Sequence, residues 1–375
     1  MSLKEIFCQD KAIGILQKAY ACGRMPHAYI FSGPEGVGKF KTAHELSKLL
    51  LCKEPAKERN NSEEFADSCG RCESCKLFEA GSHPDFNLIY KELLEFTKDN
   101  KGKKTPVDLP KDVVREFLID KVSTRPTLSK SKVFIVSEAE RLNSFSQNSL
   151  LKVLEEPPEY CFVILLCTRL EKLLPTTKSR CQIIRFAPID EEIIIDKLRE
   201  TGISQKQAQY FARLAAGSLG TACRWANLEL ADANLYQTKK DLVASVATSE
   251  YANSLELAQR FLDEGKNIAA VWAELDVTTS KKDINRRTSK TLIRIVISVL
   301  HDAMKLGIED DYKNIVNFDQ KEKIKKMAER FGPEQAAEKI DQCYETLRWI
   351  DASVNEKLIF EQLLLSLAVF DTIKV

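Results

Sequence analysis

Apolar residues in the first half of the chain come in short continuous runs rather than in alternation. HAYIFSG (His27 to Gly33), FNLIY (Phe86 to Tyr90), KVFIVS (Lys132 to Ser137), CFVILLCT (Cys161 to Thr168) and QIIRF (Gln182 to Phe186) are such runs. A strand that is apolar at nearly every position is covered on both faces. Between the runs lie helical patterns such as FKTAHELSKLLLC (Phe40 to Cys52). The alternation predicts an α/β fold built on a parallel sheet with helices on both sides. NSFSQNSLLKVLEEPP (Asn143 to Pro158) shows a polar cap, an apolar stripe at helical spacing and a double proline that stops the helix. After Phe186 the strand signal fades. Residues 188 to about 245 carry three short helical patterns, with Gly202 and Gly217 near their breaks. From about Ser249 longer amphipathic helices follow, among them SKTLIRIVISVLHDAMKLG and EKLIFEQLLLSLAVF. Lys53 to Ser68 and Thr97 to Asp112 are charged and weakly patterned, and read as surface insertions.

Composition narrows the partners. A chain of 375 residues has room for two or three domains, and 44% hydrophobic with 30% charged residues is ordinary for a protein with a buried core. Lys plus Arg is 56 against 55 for Asp plus Glu. That balance excludes a globally basic coat for nucleic acid but leaves room for a local stripe. Lys121, Arg125, Lys130 and Lys132 are the candidates for following a DNA backbone, whereas Lys101, Lys103 and Lys104 lack interleaved aromatics and read as a solvated loop. No apolar run approaches the roughly 18 residues of a membrane span. The start, MSLKEIFCQDKAIGILQKAY, carries acids and has no apolar signal core. A cytoplasmic protein with no membrane partner is expected.

The chemistry concentrates in two places. GPEGVGKF (Gly33 to Phe40) follows the first strand run and fits G-x-x-x-x-G-K-[ST] except at its last position. Gly33, Gly36 and Gly38 let the backbone curl so that N–H groups face a phosphate, and Lys39 opens the next helix as the cationic clamp. The hydroxyl that would hold Mg²⁺ is missing at Phe40. Thr42 is no substitute, because two residues along a helix is about 200° of rotation. The second protein ligand to that ion is an aspartate at the end of a core strand. Here VFIV runs into Ser137, Glu138, Ala139 and Glu140, and Ser137 has the aspartate's place. Both contacts to one ion are lost together, which predicts that ATP and Mg²⁺ are not bound and that ATPase activity is absent.

Eleven cysteines divide into a group and a scatter. Cys8, Cys22, Cys161, Cys167, Cys181, Cys223 and Cys343 are dispersed and read as small apolar residues. Cys52, Cys69, Cys72 and Cys75 are spaced C-x16-C-x2-C-x2-C, which offers four soft ligands to one tetrahedral structural Zn²⁺. An iron–sulfur centre is the alternative, although the common C-x2-C-x2-C-x3-C-P run is absent. A disulfide is disfavoured in a cytoplasmic setting. His83, in GSHPDF, reads as a turn residue rather than a ligand.

With GPEGVGKF, CxxCxxC after the first helix, HPDF, SEAERLN, NSLLKVLEEPP, LLPTTKSRC and AAGSLGTA in this order, the chain resembles the bacterial DNA polymerase III clamp-loader subunits of the AAA+ class. The resemblance covers about residues 5 to 225. It implies three domains: an AAA+ nucleotide-binding-type sheet domain over 1–187 with the cysteine module at 52–75, a small helical lid over 188–245, and a helical collar over 249–375 that oligomerises. It implies a hetero-pentamer with ATPase motor subunits (gamma/tau) and a delta subunit, acting on a sliding clamp and on primed DNA. The family's SRC motif falls on Ser179, Arg180 and Cys181, so the resemblance makes Arg180 an arginine finger acting in trans. Motor subunits carry a hydroxyl, an aspartate and a lid arginine where this chain has Phe40, Ser137 and Gly220, with Arg224 one turn beyond Gly220. The expectation is a non-hydrolysing subunit that gives an arginine and takes no nucleotide. The competing readings are an ATP-hydrolysing motor subunit and a stand-alone nucleic-acid-binding protein.

Overall fold

The structure is a computed structural model that describes residues 2–60, 63–98, 108–247, 253–277, 279–352 and 354–368. It divides into two compact units, Met1–Ile189 and Asp190–Val375. In the first, five strands form one parallel sheet: β1 (Ala28–Ser32), β4 (Phe86–Ile89), β5 (Lys132–Val136), β6 (Cys161–Cys167) and β7 (Gln182–Arg185), in the spatial order β4-β5-β6-β1-β7. All five are the strands the apolar runs predict. Ile30 of β1 is level with Leu165 of β6 on one side and Ile183 of β7 on the other. Alternate residues feed two separate cores, as a parallel sheet covered on both faces requires. Tyr29, Phe31, Val133, Ile135 and Ile164 pack toward Ala12, Leu16, Ala43 and Leu46 of the helices Asp10–Ala21 and Lys39–Leu51. Ile30, Phe134, Val136, Val163 and Leu165 pack toward Val113, Leu118, Leu150 and Leu154 on the opposite face.

Two insertions read as irregular behave differently. Lys53 to Ser68 contains an antiparallel hairpin, β2 (Ala56–Asn60) and β3 (Glu63–Asp67). Its charge hid the strands from the sequence. The hairpin is pinned by the buried Gln17 amide, which donates to the Ala66 carbonyl at 2.8 Å and accepts from Ala66 N–H at 2.8 Å. The Thr97 to Asp112 insertion, with Lys101, Lys103 and Lys104, falls mostly on residues 99–107, outside the described residues.

The second unit is helical among its described residues. Its first part has four helices where the sequence suggests three: Glu191–Glu200, Gln205–Ala215, Leu219–Leu230 and Leu235–Ala247. Gly202 and Gly217, with φ of +95° and +85°, take the left-handed turns that end two of them. Longer helices follow, and Lys281–Ile308 is buried on several sides. Lys239, fully buried, pairs with Asp319 and lies 4.6 Å from the Tyr210 ring. A charge at such depth persists only when paired and hydrogen-bonded. No helix among the described residues is long and apolar enough to cross a membrane.

Candidate functional site

One helix carries both chemical regions, the glycine loop at its N-terminus and the first cysteine of the cluster just past its C-terminus. Its 13 residues, Lys39–Leu51, separate them by about 20 Å at 1.5 Å per residue.

The loop between β1 and this helix has the backbone of a phosphate cradle. Gly36 and Gly38 have φ of +73° and +102°, which side chains rarely tolerate. At Gly33 a Cβ would meet the Phe186 carbonyl oxygen at 2.5 Å. The cradle is closed by its own lysine. Lys39 is buried, and its ammonium donates to the Gly33 carbonyl at 2.7 Å and to the Pro34 carbonyl. Burial draws the Lys39 ammonium below its ordinary value, and Glu140, Cys167 and Glu35 oppose that shift. From the outer side Gln9 donates to the carbonyls of Val37, at 3.3 Å, and Ala187, at 2.8 Å.

The residues at the motif's two magnesium-ligand positions, Phe40 and Ser137, and the carboxylates beside them make contacts within the chain. Phe40 is 45% exposed, and its ring lies 5.9 Å from that of His44, which packs 4.6 Å from Phe78. Thr42 is buried and its hydroxyl donates back to the Gly38 carbonyl at 3.0 Å. The Ser137 N–H donates to Ile89 O at 2.9 Å. Glu138 sits in the left-handed region at φ +50° and pairs with Arg141 at 3.1 Å. Glu140 accepts from the Thr168 N–H at 3.3 Å and from its hydroxyl, while its other carboxylate oxygen is buried with no hydrogen-bond partner among the described residues.

The cysteines, by contrast, converge. The Sγ atoms of Cys52, Cys69, Cys72 and Cys75 all lie within 4.8 Å of one another. Cys52 to Cys69 is 3.5 Å, Cys52 to Cys72 is 3.9 Å and Cys69 to Cys75 is 4.0 Å. A tetrahedron with Zn–S bonds near 2.3 Å has S···S edges of about 3.8 Å, so the set fits one metal ion. Successive backbone groups support it: Cys69 N–H donates to Cys52 Sγ, Cys72 N–H to Cys69 Sγ and Cys75 N–H to Cys72 Sγ, at 3.4, 3.4 and 3.5 Å. Cys72 also caps the helix Glu73–Glu79. Burial pushes the Cys72 thiol up, but the Cys75 N–H and neighbouring donors outweigh it and bring the thiol to about 6. Burial and hydrogen bonding to Cys72 raise Cys75. The cluster can hold a metal ion.

His83 is not among these ligands. It is buried, its Nε2 shares a hydrogen bond with Ser74 Oγ at 2.8 Å, and its Nδ1 accepts from Asp85 N–H at 3.1 Å. Asp85, fully buried, accepts from the N–H groups of Thr127, Leu128 and Ser129 at 2.6, 2.8 and 2.8 Å. The HPDF motif thereby ties the cysteine helix to the sheet and to the segment before β5. Lys132 belongs to the same region, and the basic stripe loses it. Only 5% exposed, it donates to Lys121 O, Thr124 O and Thr124 Oγ1 at 3.2, 3.0 and 2.7 Å, capping a helix end. Arg125 and Lys130 are exposed.

Arg180 lies apart from the loop. It follows the short helix Pro175–Lys178, and its partners are Glu155, Thr176 and Ser179. The segment is fixed by Gln147, a buried amide on the helix Ser144–Glu155 that the sequence reading passed over. Its Nε2 donates to Leu142 O at 2.9 Å and Lys172 O at 3.3 Å. Its Oε1 accepts from Leu174 N–H at 2.8 Å and the Thr177 hydroxyl at 3.3 Å. In the second unit Arg224 lies over the Trp272 ring, 5.8 Å from its centroid.

A family model described as DNA polymerase III, delta subunit, matches residues 8–190, and one described as DNA polymerase III, delta subunit, C terminal, matches residues 266–368. DNA polymerase III subunit delta' of Escherichia coli is 34% identical over 235 residues, 62% of this chain and 63% of that protein. Subunit delta' of Bacillus subtilis is 31% identical over 206 residues, 55% of this chain and 56% of that protein. Subunit tau of Escherichia coli is 29% identical over 277 residues, 72% of this chain and 40% of that protein. The match thus spans roughly three fifths of the length of the two delta' relatives.

Proposed function

We infer the function from one premise: the chain belongs to the DNA polymerase III delta-subunit family. We propose that it is a delta'-like subunit of the bacterial clamp loader, a non-hydrolysing stator of a cytoplasmic hetero-pentamer. Its partners are the gamma/tau motor subunits and a delta subunit, and the assembly places a sliding clamp on primed DNA during replication. In this reading residues 1–187 form the AAA+ domain, 188–245 the lid and 249–375 the collar that joins the subunits. Cys52, Cys69, Cys72 and Cys75 hold one structural zinc, and no ATP or Mg²⁺ is taken up at Gly33, Gly36, Gly38 and Lys39.

The observation that carries the reading is the contrast between two cations. Both are bonded within their own chain, but the Lys39 ammonium is buried among the carbonyls of its own loop, whereas the Arg180 side chain, paired with Glu155, is one-third exposed. A lysine turned into the cradle cannot clamp a phosphate without breaking those bonds. An exposed arginine can instead reach a γ-phosphate bound by a neighbouring subunit. There it stabilises charge that develops in the transition state, an effect worth on the order of 10³ or more in rate.

Calorimetric titration of the chain with ATP, with and without Mg²⁺, tests the first half; no heat at millimolar nucleotide is expected. Micromolar, Mg²⁺-dependent binding would overturn it in favour of a motor subunit. Arg180→Ala in a reconstituted loader tests the second half, with loss of ATP turnover at one site expected and unchanged turnover refuting the trans role.

A further inference from the structure

The guanidinium of Arg180 is held from two directions within its own chain. Nη2 lies 2.6 Å from Glu155 Oε1, and Nη1 donates to the Thr176 carbonyl at 2.9 Å. Both holders are placed by one helix. Glu155 is the last residue of the helix Ser144–Glu155, whose inner residues Leu150, Val153 and Leu154 are buried against the sheet. Thr176 stands in the turn that Gln147 fixes through Leu174 and Thr177. Because Gln147 and Glu155 share one helix, the spacing between carboxylate and carbonyl is built into the fold rather than left to two mobile side chains.

The environment makes the pair easy to exchange. The side chains of Arg180 and Glu155 keep 33% and 44% of their exposure. An ion pair in that setting shifts a two-state equilibrium by only about 1.4- to 5-fold. That is enough to bias a long side chain with many rotamers, yet too little to retain it against a multiply charged phosphate, whose oxygens make stronger charge-assisted bonds with a guanidinium.

We propose that Glu155 is a positioning residue for Arg180, a counter-ion that keeps the guanidinium folded on its own chain and yields it when a nucleotide phosphate of a neighbouring subunit is presented. This rests on the trans role of Arg180 proposed above. The fraction of arginine already released scales the apparent affinity for the phosphate, so removing the carboxylate tightens engagement.

The test uses Glu155→Gln and the conservative Glu155→Asp in the full chain. Guanidinium nitrogen NMR of Arg180, assigned with Arg180→Lys, reads the pair directly. Slow Nη rotation is expected in the parent chain and in Glu155→Asp, and fast rotation in Glu155→Gln. In a loader reconstituted with ATPase subunits, Glu155→Gln is expected to lower KM for ATP by about 2- to 5-fold with kcat unchanged. The difference should narrow as salt rises. A Glu155→Gln loader that loses turnover as Arg180→Ala does overturns the proposal, because the carboxylate would then be holding the arginine in its working pose. A freed guanidinium with unchanged KM overturns it too. If Arg180→Ala itself leaves turnover intact, the trans role fails first; an Arg180→Ala loss beside a silent Glu155→Gln sinks this proposal alone.

Discussion

The two ends of the helix Lys39–Leu51 carry two motifs recognised by residue spacing, and their polar atoms are arranged differently. At the C-terminal end four sulfurs converge within 4.8 Å and point at a common centre. At the N-terminal end the glycines keep the cradle shape, but lysine, threonine and glutamine side chains spend their hydrogen bonds on the loop's own carbonyls. The four thiols face one another, whereas the loop's polar side chains face its own carbonyls.

The cysteine end gives the sharpest way to break this comparison. Structural zinc contributes on the order of 10 to 16 kcal/mol to small domains. The purified chain is expected to carry one zinc by elemental analysis, and chelation or Cys72→Ser should abolish the cooperative melting of the first unit. A chain that carries no metal and melts unchanged with chelator would overturn the metal reading of the cysteine end.

A smaller effect is expected where HPDF braces the cysteine helix. Asp85→Asn leaves three backbone donors without their full acceptor and should cost about 1 to 3 kcal/mol in denaturant unfolding. Neighbouring His83 supplies a pH signature. Burial is the main cause that lowers its pKa from 6.5, with Asp85 opposing, so the folded chain keeps it neutral where the unfolded chain takes up a proton. Stability should fall as pH drops below about 6.5. A flat urea midpoint between pH 7.5 and 5.5 would show that the brace does not feel the proton.

The smallest effect sharpens the other end. Phe40→Thr restores the missing hydroxyl and removes only a half-exposed ring, so stability should change by no more than about 1 kcal/mol. No Mg²⁺-dependent nucleotide binding is expected to appear, because Ser137 offers no carboxylate and Lys39 remains on Gly33 and Pro34. Gain of micromolar binding in Phe40→Thr would mean that one ring, rather than the closed loop, excludes nucleotide.

The five parallel strands, the glycine loop and the four cysteines were legible because each is a local pattern: an apolar run, a spacing of glycines, a spacing of thiols. The hairpin Ala56 to Asp67 was not, since its charged residues mask alternation and its anchor, Gln17, lies 49 residues from Ala66. Gln147 was invisible for the same reason, being one polar residue in a helical stripe whose partners come from the segment Leu142 to Thr177. Lys132 shows the converse error. A lysine beside other basic residues reads as surface charge, yet the structure uses it to cap a helix.

Gln9 has a further consequence, for the order in which the protein can form. Its amide reaches Val37, 28 residues on, and Ala187, 178 residues on, and β1 finds its partners only in β6 and β7. A chain emerging from the ribosome therefore leaves the surroundings of its glycine loop incomplete until Phe186 and Ala187 arrive, about 150 residues after Val37. At 5 to 20 residues per second that interval is roughly 8 to 30 s. The first unit closes by stitching its beginning to its end, so its earliest motif is among the last to be finished.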